Sequence, residues 1–168
     1  TQSALLEAME EGSVTVDGVT HSVPDPFIVI ATQNPVGSSG TQLLPESQID
    51  RFMVRLSLGY PDPANELELL KRKQGGNMLE NVQCVVTKDR LAAIRSEADS
   101  VFVDQKIFDY AIRLSNQSRS ERSVLHGASP RATIAVVSMA KAAAWLAGRD
   151  YVIPDDVKYI YPATITHR

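Results

Sequence analysis

Apolar residues stand at positions 4, 5, 8 and 9 of the opening stretch TQSALLEAMEEG, the spacing of one helical face, and Gly12 offers the stop. The period then changes. SVTVDGVTHSV sets Asp17-Gly18 between two short runs rich in β-formers, which predicts a hairpin over residues 13–23 with a two-residue turn. Pairing across that turn puts Val16 opposite Val19 and Val14 opposite His21, and leaves Thr15 and Thr20 on the other side. Next comes FIVIA, residues 27–31, five apolar positions without polar alternation. That pattern predicts a central strand covered on both faces, and Pro35 ends it because proline cannot donate to a ladder. A short helix in PESQIDRF, with Pro45 in its first turn, leads to a further strand from Met53 to Leu58 that GYPDP breaks.

Beyond residue 60 nearly everything follows the helical period. Asp62 caps a helix that starts at Pro63, carries Leu67 and Leu70 on one face and ends in Lys71, Arg72 and Lys73. Thr87 caps a second, with Leu91, Ile94 and Ala98 in register; a third begins near Asp104 with Ile107, Ala111 and Leu114. The fourth has Ser129 as cap, Pro130 as first residue and Gly148 as stop, with Trp145 expected in the core. The last starts at Pro154, with Asp155 and Asp156 where negative charge suits the helix dipole. The expected fold class is therefore α/β plus all-α: residues 1–60 as the second half of a layered α/β unit, residues 61–168 as a helical subdomain.

Composition removes several function classes. The net charge of −3 gives no broad nucleic-acid footprint, so no nucleic-acid partner is expected. No apolar run approaches the roughly 20 residues of a membrane span, and the first residues do not resemble a signal peptide. A single cysteine, Cys84, excludes an internal disulfide and fits a reducing cytoplasm, the expected location. His21, His126 and His167 lie apart from one another and from any cysteine or carboxylate at ligand spacing, so no metal site is expected in this chain. The phosphate loop G-x-x-x-x-G-K-[ST] is missing, since no glycine precedes a lysine, and there is no serine elbow. By itself the chain is a set of polar side chains without a reaction centre.

Three of those side chains stand in suggestive places. Asn34 follows the expected central strand, and ligands of open α/β sheets sit beyond the carboxyl ends of strands; the plainer reading is that Thr32, Gln33 and Asn34 begin a turn. Arg51 ends a short helix just before a strand, where it could project from the molecular edge or pair with Asp50 or Glu46. Arg131 lies in the first turn of a helix, where the dipole disfavours a cation, and is either there for a ligand or simply a surface charge.

Four ordered segments, LLEAMEEGSVTVDGVTHSVPDPFIVIATQNP, GTQLLPESQIDRF, GYPDP and GASPRATIAVVSMAKAAAWLAGRDYVIPDDV, closely resemble the MoxR family of AAA+ ATPases. The resemblance covers essentially the whole chain and implies the C-terminal part of such an ATPase, beginning just after its acidic magnesium-binding motif. It implies that residues 1–60 hold a hairpin insertion, the sensor 1 strand and the arginine-finger helix, and that residues 61–168 form the lid with sensor 2. Asn34 in ATQNP matches sensor 1, Arg51 in IDRF the arginine finger and Arg131 in GASPRA sensor 2. The positioning and charge neutralisation demanded by phosphoryl transfer suit these residue types. For the full-length protein the family implies ATP and Mg2+ as cofactors, a hexameric homo-oligomeric ring, and chaperone-like maturation or cofactor insertion in client proteins with a von Willebrand factor A domain partner. No tightly bound cofactor is expected on this chain alone. A magnesium-chelatase-like or MCM-like ATPase, which would share the hairpin and the finger, is one alternative. A non-catalytic module docking on complete ATPases is another. Ile153 departs from the capping Thr common in the family, and YIYPATITHR is an unusual final segment.

Overall fold

A computed structural model describes residues 2–32, 44–74 and 82–168. Helix α1, Gln2–Glu11, stops at Gly12, whose φ of 61° lies in the left-handed region that glycine enters at little cost. Strands β1 (Ser13–Val16) and β2 (Val19–Ser22) pair antiparallel in the expected register, Val16 with Val19 and Val14 with His21. The turn needs positive φ at both central residues. Asp17 at 50° and Gly18 at 79° supply it, which explains the Asp-Gly pair. The Val23 amide donates to the Gly12 carbonyl at 2.9 Å and closes the base of the hairpin against the end of α1.

The two other expected strands are not formed. Residues 27–32 and 54–62 have no ladder partner among the described residues, where the sheet consists of β1 and β2 alone. A strand exists through its neighbour's hydrogen bonds, so an apolar run without one stays irregular and exposed. Ile30 is 88% and Leu58 98% accessible. The Arg55 amide, donating to the Ala163 carbonyl at 2.8 Å, fastens the second of these runs to the last part of the chain.

Helix α2 is a single turn, Glu46–Ile49, after Pro45. The expected helices follow: α3 (Pro63–Gln74), α4 (Lys88–Asp99), α5 (Gln105–Ser120), α6 (Pro130–Leu146) and α7 (Pro154–Ile165). The Asp62, Thr87, Asp104 and Ser129 side chains accept backbone amides at their respective starts, as their residue types demand. Gly148, φ 73°, ends α6, and the Arg149 amide reaches back to the Ala144 carbonyl at 2.9 Å. Ala132, Val136, Ala140 and Ala144 recur every fourth residue on α6 and are buried. This small-residue stripe lets α7 come close, placing Val157 and Ile160 in the same core as Ile107 and Ala111 of α5. Trp145 sits half-buried at the rim, because its indole N–H needs a partner and finds Glu97 Oε2 at 3.2 Å.

The start of α7 survives the loss of the capping hydroxyl. Ile153 offers no acceptor, but the Asp156 carboxylate accepts the Ile153 amide at 2.9 Å and a guanidinium bond from Arg149 at 2.9 Å. Burial alone would raise the Asp156 pKa, yet Arg149 and that amide hold it below the usual carboxylate value.

Candidate functional site

The structure brings Arg51 and Arg131 together. Arg51 lies in the turn after α2, and Arg131 projects from the first turn of α6. Between them stands Glu10, from the last turn of α1: its Oε2 pairs with Arg51 Nη1 and its Oε1 with Arg131 Nη2. One carboxylate thus bridges two guanidinium groups. With Met9 and Glu11 these three line an open cleft of about 430 Å³. The side chains remain partly accessible, at 25% for Arg51, 33% for Glu10 and 47% for Arg131. Arg51 Nε and Nη1 are buried and neither makes a hydrogen bond among the described residues, Nη1 meeting Glu10 as an ion pair, which leaves donor capacity on the cleft-lining guanidinium.

The frame behind the arginines is built from their sequence neighbours. Ser129 caps α6 by accepting the Ala132 amide at 3.0 Å, and its hydroxyl lies 2.9 and 3.0 Å from the two Asp50 oxygens. The residue before Arg51 is therefore tied to the residue two before Arg131. Arg168, 4% accessible, donates to Asp50 at 3.2 Å and to the Phe52 carbonyl at 2.7 Å, so the carboxylate before Arg51 and the carbonyl after it share one anchor. Burial lowers the Arg168 pKa and Asp50 only partly restores it. His167 Nε2 lies 2.9 Å from the same Phe52 carbonyl, and burial, aided by Arg168 and Arg55, holds its imidazole below the ordinary value.

Neither partner offered to Arg51 by the sequence holds it. Asp50 is taken by Ser129 and Arg168, and Glu46 lies 2.9 Å from His126. Glu10 was missed, although one signal was present: Glu10 and Glu11 stand at the carboxyl end of α1, where the dipole disfavours an anion, just as Arg131 stands where it disfavours a cation. Asn34 lies outside the described residues. Among the described residues no group of three or more His, Cys, Asp or Glu side chains could hold a metal ion. No helix there is long and apolar enough to cross a membrane.

Residues 1–54 match the model of the ATPase family associated with various cellular activities (AAA), and residues 116–168 match the AAA lid domain. The first match takes in α1, the hairpin and α2, and the second covers α6 and α7. The uncharacterised protein YeaC of Bacillus subtilis is 47% identical over 168 residues, all of this chain and 52% of YeaC. Chaperone MoxR1 of Mycobacterium tuberculosis is 39% identical, with 99% of this chain and 46% of that protein covered. A crystal structure of a candidate ATPase from Cytophaga hutchinsonii superposes with a TM-score of 0.87 at 40% identity, over 99% of this chain and 53% of that one. The chain spans about half the length of the curated relatives it matches.

Proposed function

Because the chain belongs to the MoxR family of AAA+ ATPases, we infer that it supplies the phosphate-reading arginines of an ATP-hydrolysing ring. The observation that carries this reading is the convergence of Arg51 and Arg131 on one carboxylate, since side chains that share an anion face the same place. The guanidinium fork fits phosphate oxygens with paired donors, and the half-open cleft admits them. Arg51 acts as the finger reaching the nucleotide of a neighbouring subunit. Arg131, beside it, meets the same phosphates and reports their presence to the lid through α6. Asn34 orients the attacking water. Bound Mg2+ would supply charge neutralisation at the phosphates. The whole protein works as a hexameric ring in the cytoplasm, coupling ATP turnover to maturation of, or cofactor insertion into, client proteins alongside a von Willebrand factor A domain partner.

The test is complementation between two damaged proteins. Full-length Arg51→Ala is expected to lose most hydrolysis, because fingers elsewhere supply roughly 10³- to 10⁵-fold in rate. It is mixed with a protein that keeps Arg51 but has its magnesium-binding motif disabled. Some interfaces of a mixed ring then join an intact pocket to an intact finger, and activity returns. Confirmed mixed rings without recovered hydrolysis overturn the trans role.

A further inference from the structure

We propose that Glu10 is the resting counter-ion of the two-arginine site: its carboxylate stands where phosphate oxygens bind, and phosphate must displace it. This rests on the reading of Arg51 and Arg131 as phosphate ligands. Three observations carry it further. Glu10 places one oxygen on each guanidinium, the arrangement by which two phosphate oxygens would span the same pair. Glu11 lines the same cleft but joins no ion pair among the described residues, so the bridging belongs to Glu10 and not to acidity in general. Glu10 also stands at the wrong end of α1 for the helix dipole, so the arginines and not the helix hold it there.

The charges explain why exchange is favourable. Two guanidinium groups so near one another repel, and a single carboxylate leaves the trio with one net positive charge. A nucleotide phosphate brings more negative charge and more acceptor oxygens, and so neutralises the pair more fully. The ion pairs of Glu10 are partly solvated and therefore weak, which makes displacement easy and keeps the arginines gathered until a phosphate arrives. Glu10 is thus a positioning residue that competes with nucleotide.

The experiment is a double-mutant cycle in the full-length protein, reading ATP affinity by equilibrium titration. Glu10→Gln removes the competing charge and is expected to lower the dissociation constant roughly three- to tenfold, the scale of losing weak ion pairs. Glu10→Ala serves as a second variant should the amide pack poorly. In an Arg51→Ala, Arg131→Ala background the same change is expected to leave affinity untouched, whereas a structural role would act equally in both backgrounds. Unchanged or weaker ATP binding by folded Glu10 variants, while the arginine variants alone weaken it, overturns the Glu10 proposal and spares the arginines. If the arginine variants themselves bind and hydrolyse ATP as the wild type does, the phosphate-reading assignment fails and this inference fails with it.

Discussion

Glu10 and Arg131 carry charges at the helix ends that disfavour them, and the structure shows them answering one another across 121 positions of sequence. A surface-charge reading of Arg131 expects its removal to change stability by a few tenths of a kcal/mol and nothing else. The convergence with Arg51 leads to a different expectation: in the whole protein, Arg131→Ala weakens nucleotide binding and slows turnover at nearly unchanged stability. Nucleotide titration and steady-state hydrolysis decide, and wild-type values in a folded variant would return Arg131 to the surface. His167 gives a prediction about pH. Burial holds its imidazole below the ordinary value of about 6.5, with Arg168 and Arg55 pushing the same way and the Phe52 carbonyl and Asp50 opposing. The native state therefore prefers the neutral ring. Its contribution is complete above the unfolded value and is lost as pH falls through the lower folded one. The denaturation midpoint is expected to drop between pH 7 and 5 more steeply in the wild type than in His167→Gln. Parallel profiles would remove His167 from the account. Arg131 stood out in the sequence because a cation in a first helical turn is oddly placed, and Arg51 because it ends a short helix at the expected start of a strand. Their shared partner was not, because Asp50 adjoins Arg51 in sequence while Glu10 comes near only in the fold.

At the scale of elements, the junction of α2 and α6 turns on one hydroxyl. Ser129 both caps α6 and binds the carboxylate of Asp50, so a single side chain sets the start of the helix bearing Arg131 and the position of the turn bearing Arg51. Ser129→Ala is expected to cost about 1 to 2 kcal/mol, the upper part of the range for a lost cap, because Asp50 loses a partner as well. It should also lower the turnover of the whole protein, since the two arginines are no longer held in register. Chemical denaturation and hydrolysis measured on one preparation test this; a stable, fully active variant would show that the junction does not position the site. Helix starts and stops were readable because caps are local chemistry: Asp62, Thr87, Asp104, Ser129 and Gly148 act at the places their residue types announce. The hairpin register was readable for the same reason, from Asp17-Gly18 outward. The apolar runs at 27–31 and 53–58 were misread as formed strands, because apolar character records a demand for burial and does not supply the neighbour that satisfies it.

For the molecule as a whole, burial and site lie in different places. The core is gathered from α5, α6 and α7 with Val101 before α5 and Val152 before α7, whereas Ile28, Ile30, Leu56 and Leu58 remain largely accessible. Arg51 and Arg131 face an open cleft outside that core. Such a cleft offers phosphate two partly solvated guanidinium groups and one competing carboxylate. The sequence adds no G-x-x-x-x-G-K-[ST] loop to cradle the remaining phosphates, and the described residues add no cluster of metal ligands. Two exposed ion pairs at up to about 1 kcal/mol each fall short of the roughly 4 kcal/mol that millimolar affinity requires. The 168-residue chain alone is therefore expected to bind Mg-ATP more weakly than about 1 mM and to hydrolyse none of it. Isothermal titration should give no saturable heat at micromolar concentrations. A low-micromolar dissociation constant would mean that this chain builds a complete nucleotide pocket of its own, and Arg51 and Arg131 would then have to be read as ligands within it, not as groups offered to a nucleotide that another subunit holds.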